Sequence, residues 1–404
     1  MHTATRSALL ILYLVLLLTG CVEPIEQNLS QDINVVVVDG DLTNLNEPQV
    51  LRLNRSQSDP LTGRFGSFPL TEATVEVVVD SSQVVSFRET TPGRYQAPEG
   101  FRGEVGHSYQ LRFTLSDGAK YQSLPEVMQA VPEVDRLYQE FNPSSLSGKQ
   151  RLAGYYTAAN DFYVDFQDPE SQQNYYKWDW QLWERQQWCH TCIQGFYFIN
   201  NQFDTTKLED CVPSNEYIFK GFFINDYPCR TACWEILHNW ELNLFDDQLS
   251  NGGSIRRRLV AQIPYYQPYG CLVELRQSSL TPKAYAFYRL QQQQSQNPGG
   301  LADAPPTALV GNIQNIANPR EMVVGYFSVS AVASVRYWLD RQQNTGRTPG
   351  LFLALNGLLP SSEGLATDPN DGKPKPTLTS RPLPLAVCVE SDTRTPKMPQ
   401  GWRE

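Results

Sequence analysis

Ala73-Thr74-Val75-Glu76-Val77-Val78-Val79-Asp80-Ser81-Ser82-Gln83-Val84-Val85-Ser86-Phe87 decides the fold class. Ala73, Val75, Val77 and Val79 recur at every second position, Asp80-Ser81-Ser82 supplies turn residues, and Val84 to Phe87 resumes the apolar run. Successive side chains of an extended strand point to opposite faces, so this period marks a strand with one face buried. Two such runs around a short polar turn make an antiparallel hairpin. Working outward, the pattern repeats. Ile33 to Val38 ends at Asp39-Gly40, Gln49 to Leu53 follows, and Tyr109, Leu111, Phe113 and Leu115 alternate up to Asp117-Gly118. Turn residues at about ten-residue spacing, with no long helical pattern before Ser123, predict an immunoglobulin-like β-sandwich over residues 30–135.

Asn142-Pro143-Ser144-Ser145-Leu146-Ser147-Gly148 reads as a linker, placed at residues 136–150, and residues 151–404 as a second, larger domain. That domain is strand-rich too. Phe162, Val164 and Phe166 alternate, as do Tyr176, Trp178, Trp180 and Leu182; Tyr217 to Ile224, Trp240 to Phe245, Ile255 to Ile263, Leu272 to Leu275 and Met322 to Val329 follow. One helix is predicted: Thr281 caps it, Pro282 suits the first helical position, and Asn297-Pro298-Gly299-Gly300 stops it. The fold class is therefore mainly β, with one or two short helices.

Arg6 precedes an unbroken apolar run from Ala8 to Leu18, which closes at Leu18-Thr19-Gly20-Cys21. The basic start and short apolar run describe a secretory signal over residues 1–20; a spanning helix needs about 20 apolar residues. The closing quartet resembles the lipobox of bacterial lipoproteins, in which Cys21 is acylated and becomes the mature N-terminus. Residues 21–29 then form a tether whose Glu23 and Glu26 resemble a surface-export signal of Bacteroidota lipoproteins, against the plainer reading of a solvated linker. Contact with the membrane is expected through the lipid alone. The formal charge of −10 argues against nucleic-acid partners and against direct binding to anionic lipid.

Export implies oxidising surroundings, so cysteines read first as disulfides. Beyond Cys21 there are Cys189, Cys192, Cys211, Cys229, Cys233, Cys271 and Cys388; the odd number leaves one thiol over, and spacing does not set the pairing. Cys189-His190-Thr191-Cys192 and Cys229-Arg230-Thr231-Ala232-Cys233 also resemble a four-thiolate zinc site, a reading that export disfavours. No metal or other cofactor is expected. His-Glu-x-x-His, Gly-x-Ser-x-Gly and Walker patterns are absent, and His107, His190 and His238 are scattered. Asp368-Pro369-Asn370-Asp371-Gly372 lacks the distal glutamate of a calcium loop and reads as a turn.

Aromatic residues crowd between Tyr155 and Trp240. Alternation places Trp178 and Trp180 on one face, expected inward, and Trp183 on the other. Trp183 and Trp188 are the candidate partner-binding anchors, since large aromatics dominate protein interfaces.

Val36-Val37-Val38-Asp39-Gly40, Thr91-Pro92-Gly93-Arg94-Tyr95, Gly106-His107-Ser108-Tyr109-Gln110-Leu111, Val131-Pro132-Glu133-Val134-Asp135, Leu280-Thr281-Pro282-Lys283-Ala284-Tyr285, Leu309-Val310-Gly311-Asn312-Ile313 and Val324-Gly325-Tyr326-Phe327-Ser328-Val329 occur in this order. Together they resemble the Bacteroidota lipoprotein family known as domain of unknown function 4249. Cys388 and Pro399/Trp402 are similar to the family's ending, but Ser391 stands where its second cysteine would be. The resemblance implies an outer-membrane, surface-facing accessory lipoprotein of a TonB-dependent receptor, and offers no catalytic residues. A non-enzymatic binding role is the expectation. A surface glycan-binding lipoprotein is the alternative, and a hydrolase with an unrecognised site stands behind it.

Overall fold

The computed structural model describes residues 34–58, 65–146, 157–170, 172–193, 196–199, 202–204, 224–239, 241–296, 309–357, 359–360, 366–367, 374–375 and 385–404. The signal, the tether with Cys21, Cys211, the 368–372 turn and the helix stop at 297–300 lie outside the described residues. The chain is mainly β, as its alternation predicts.

The opening hairpin forms as read. Strands Thr74–Val79 and Gln83–Thr91 pair antiparallel with Val77 opposite Val85, and Asp80 and Ser81 take positive φ in the turn. Val75, Val77 and Val85 turn to one buried face. The sheet that grows from it has eleven strands. Its order is Ile313–Asn315, Lys120–Ser123, Ser108–Thr114, Thr74–Val79, Gln83–Thr91, Arg94–Gln96, Val50–Ser58, Asn34–Thr43 and Val323–Ser330, with Phe65–Pro69 and Glu126–Val127 paired at the side.

Apolar side chains from both halves of this sheet, including Val77, Leu111, Val36, Leu53 and Phe327, share one core, so the sheet curls over itself. Its two end strands are tied by a side chain. Asn312 Nδ2 donates to the Phe327 carbonyl, and the Phe327 N–H donates to Asn312 Oδ1, both at 2.9 Å.

The first region therefore does not end at residue 135. Strand Val323–Ser330, nearly two hundred residues later, runs parallel to Asn34–Thr43 with Gly325 opposite Val38. Glycine is required there: φ is +108°, and a Cβ would sit 1.8 Å from the Val38 carbonyl oxygen. The predicted linker also differs, because Arg136–Asn142 is a strand paired with Ala159–Gln167.

The second region packs that pair, extended by Ser254–Pro264, against a six-stranded sheet. The latter contains Val332–Leu339, Cys271–Ser279, Tyr175–Arg185, Trp234–His238 and Arg394–Thr395, with Asn243–Asp246 beside Tyr175–Arg185. Phe162, Val164 and Phe166 from one layer meet Trp178, Leu182, Val273 and Leu275 from the other, all essentially without solvent contact. Burial of each large apolar side chain contributes about 1.5–3 kcal/mol.

Helix Pro282–Gln296 begins as predicted: Thr281 Oγ1 accepts from the Ala284 N–H, while its own hydroxyl donates to buried Glu126 of the first sheet. A second helix, Leu351–Asn356, was not legible in the sequence.

Candidate functional site

Strand Tyr175–Arg185 organises the site, because both of its faces are used. Trp178 points into the core, fully buried, with Nε1 donating to Gln277 Oε1 at 3.0 Å. Trp180 follows on the same face but is only half buried, and its indole lines two clefts.

The larger cleft, about 520 Å³, lies where the curled sheet meets the second region. Asp39, Asp41 and Glu47 come from the first side, and Lys177, Asp179 and Arg276 from the second. Lys177 Nζ lies 3.2 Å from Asp179 and 3.8 Å from Asp41, and 4.9 Å above the Tyr288 ring. Burial alone would lower its pKa; Asp179, Asp41 and Tyr288 outweigh that and hold the ammonium well above the usual lysine range. Asp39 shifts upward, first because protein surrounds it and then because Asp41 is close, with Arg52 opposing.

Arg276 grips Glu47 with two bonds of 2.8 Å and also meets Glu274, which Arg336 holds from the other side at 2.7 Å. Burial disfavours the Glu274 carboxylate, but the two guanidinium groups more than compensate and its pKa is lowered. The charges of this cleft thus largely neutralise one another across the junction.

The smaller cleft, about 230 Å³, is walled by Trp178, Trp180, Arg258, Gln262 and Gln292. Arg258 lies 5.3 Å from the Trp178 ring and 5.1 Å from that of Phe245. Its Nη2 donates to Asn243 Oδ1 and to the Leu244 carbonyl.

On the opposite face of the strand, Trp183 corrects an expectation. Alternation does put it off the main core, but the reverse face is covered as well. Trp183 is 7% exposed and packs with Trp234, Leu272, Trp338 and Trp402, with Arg336 over its ring. The returning strand Val332–Leu339 and the C-terminal segment supply that cover. A side chain enclosed in this way offers little surface to a partner. Trp188 is half-buried, edge-on to Phe352 at 6.0 Å. Trp180 departs in the other direction, being more open than a core residue.

The cysteines pair across the sequence pairs, not within them. Cys189 bonds Cys229, and Cys233 bonds Cys388, which stitches residues 385–404 onto the edge of the six-stranded sheet. The four-thiolate grouping from sequence is thereby redrawn: the sulfurs of Cys189, Cys233 and Cys388 lie within 4.8 Å of one another, and Cys192 is not among them. Cys192 is itself disulfide-bonded, with its sulfur 3.2 Å from His190 Nε2. Cys271, a disulfide candidate from sequence, is a buried free thiol, and burial pushes its pKa well up.

Sequence reasoning did not find Lys177, Arg258 or the Glu184–Arg341 pair. Lys177 alternates onto the face read as outward, and it is buried only because Asp41 and Tyr288 arrive from distant segments. Arg258 is the last of three consecutive arginines, and nothing in the sequence marks it off from the exposed Arg256 and Arg257.

These features define a disulfide-stapled, mainly β protein with two clefts on either side of one tryptophan. Residues 22–336 match the family described as Domain of unknown function (DUF4249), and the chain belongs to that family. Comparison with curated proteins and with solved structures gave no match. The segment bearing Cys388 and Trp402 lies beyond the matched stretch, yet it closes the aromatic cluster around Trp183. Among the described residues no helix is long and apolar enough to cross a membrane.

Proposed function

We propose that this chain is a lipid-anchored, surface-facing binding protein of the outer membrane that serves as the non-enzymatic accessory partner of a TonB-dependent receptor. The observation that carries the reading is the apolar run closing at Leu18-Thr19-Gly20-Cys21, with the family match starting one residue later. Several acyl chains at one terminus make a stable anchor, since each buried methylene contributes about 0.8 kcal/mol and a single chain is marginal. The net charge of −10 suits a partner with basic or neutral surface and not bare anionic lipid.

The test is membrane fractionation followed by cross-linked co-purification. Wild-type protein should sediment with the outer membrane and bring a TonB-dependent receptor with it. Cys21→Ala should be released or stay uncleaved. A Cys21→Ala protein that fractionates like the wild type, or an anchored wild type that captures no receptor, refutes the reading. The glycan-binding alternative draws on one observation, the half-open Trp180 between the two clefts.

A further inference from the structure

Arg258 presents a cation without an anion. Among the described residues no carboxylate forms an ion pair with its guanidinium, whereas its neighbours Arg256 and Arg257 pair with Asp165 and Glu140. Its Nε is enclosed without an acceptor and the neutral oxygens of Asn243 and Leu244 take up Nη2, which leaves Nη1 as the nitrogen that can meet a ligand in the cleft. The aromatic rings of Trp178 and Phe245 attract the charge but accept no in-plane hydrogen bond. A partly buried guanidinium carries a desolvation cost that a carboxylate or phosphate offsets best, through two parallel N–H···O bonds. Burial also pulls the Arg258 pKa below the usual arginine range, with Tyr285 alone opposing.

The cavity beside it bounds the ligand. At about 230 Å³ it is below the size of drug-like pockets and holds roughly eight waters at ~30 Å³ each. That is room for about one ring with its substituents. Trp180 supplies a half-open indole on one wall; Gln262 and Gln292 line others, with their amide nitrogens already donating to Ser145 and to the Leu242 carbonyl, and Leu242, Leu244 and Leu259 add aliphatic surface. A half-open indole with aliphatic surface beside it suits the apolar face of a sugar ring, and the cation selects a ring that carries a carboxylate.

We infer that the cleft between Trp180 and Arg258 is a subsite for a carboxylate-bearing sugar ring, with Arg258 as the anion-binding group. The inference rests on the binding reading above and names its ligand class. The full-length lipoprotein in detergent, titrated with glucuronate, glucose and acetate, tests it by tryptophan fluorescence and calorimetry. Glucuronate should bind, glucose at the same concentration should bind at least tenfold more weakly, and acetate likewise. Arg258→Gln should weaken glucuronate at least tenfold, Arg258→Lys less so, and Trp180→Ala should weaken glucuronate but not the acetate baseline.

Should Arg258→Gln fail to fold, the wild type still decides the matter. A thermal melt raised by glucuronate and not by glucose supports the subsite. No glucuronate binding, binding unaffected in a folded Arg258→Gln protein, or acetate binding as tightly as glucuronate overturns it. Receptor capture is read in a separate experiment, so a failure here leaves that result standing, and the reverse.

Discussion

Glu184 and Arg341 face each other at 2.6 Å with neither side chain exposed. Gln267 donates to the second carboxylate oxygen at 2.8 Å, and the Pro264 carbonyl accepts from Arg341 Nη2. The pair joins strand Tyr175–Arg185 to the second residue past strand Val332–Leu339, across the buried free thiol of Cys271. Such a pair adds little net stability over an apolar substitute, but removing one partner strands the other charge and costs about 3–5 kcal/mol.

Arg341→Met should therefore destabilise strongly, and in a pH-dependent way. Glu184 already titrates above the usual carboxylate range, chiefly because it is buried, with Arg341 opposing. Without Arg341 it rises further. A carboxyl that holds its proton more tightly when folded loses stability as pH rises from the unfolded value of about 4.3 through the folded one. Urea melts should show a larger deficit for Arg341→Met at pH 8 than at pH 5. An equal deficit at both would mean that packing, not charge, governs the site.

The pH response of His107 runs in the same direction, but at an exposed site. Its Nδ1 lies 2.6 Å from Asp80 in an exposed turn of the first sheet. The hydrogen bond to Asp80, followed by its charge, raises the His107 pKa, and the Ser108 N–H followed by the His107 bond lowers that of Asp80. The histidine contribution is fully present below the unfolded value of about 6.5 and is lost as pH rises through the folded one; the aspartate contribution is present above its unfolded value and is lost as pH falls through its folded one. NMR titration of the imidazole should give a midpoint above 6.5 that drops in Asp80→Asn. An unchanged midpoint in that variant would show that the contact is not formed in solution.

Much of this fold was legible because alternation is a local signal. Val75, Val77 and Val79, and Phe162, Val164 and Phe166, each read as one buried face, and each is one. Thr281 and Pro282 marked the helix start for the same reason. What escaped was long-range. Nothing local to Val323–Ser330 says that it pairs with Asn34–Thr43, and nothing local to Cys388 says that it bonds Cys233. The clefts are composite in the same sense, since Asp41 and Lys177, or Arg258 and Trp180, meet only after the sheets form. Trp183 was placed on the correct face, but the cover over that face comes from Trp338 and Trp402 in distant segments and could not be read from its own strand.

That cover separates the two tryptophans experimentally. Trp183→Ala empties the centre of a cluster that includes Trp234, Trp338 and Trp402, and a buried aromatic truncated in this way costs about 3–5 kcal/mol. Trp188→Ala touches a half-buried ring against Phe352 and should cost less. Thermal melts should rank them in that order. If Trp188 is an interface anchor, its truncation should weaken receptor capture by about 2 kcal/mol, roughly thirtyfold, without the loss in melting temperature. A Trp183→Ala protein as stable as the wild type would contradict the enclosed position assigned to its side chain.

The C-terminal segment is held by a covalent staple. The Cys233–Cys388 bond spans 155 residues, and cross-links of this kind typically contribute about 2–4 kcal/mol by restricting the unfolded chain. It also holds Arg394 against Glu235 at 2.9 Å and brings Trp402 to within 5.7 Å of Trp234. Cys388→Ser should lower the denaturation midpoint and, before global unfolding, expose residues 385–404 to limited proteolysis. Cys229→Ser should lower stability while leaving that segment protected, because its bond to Cys189 lies within the body of the fold. Non-reducing peptide mass spectrometry of the wild type fixes the pairing at the outset. Recovery of Cys189, Cys229, Cys233 and Cys388 as free thiols with about one equivalent of zinc would replace both disulfides with a tetrathiolate site. Equal protection of the C-terminal segment in Cys388→Ser and wild type would instead show that Trp402 and Arg394 hold it unaided.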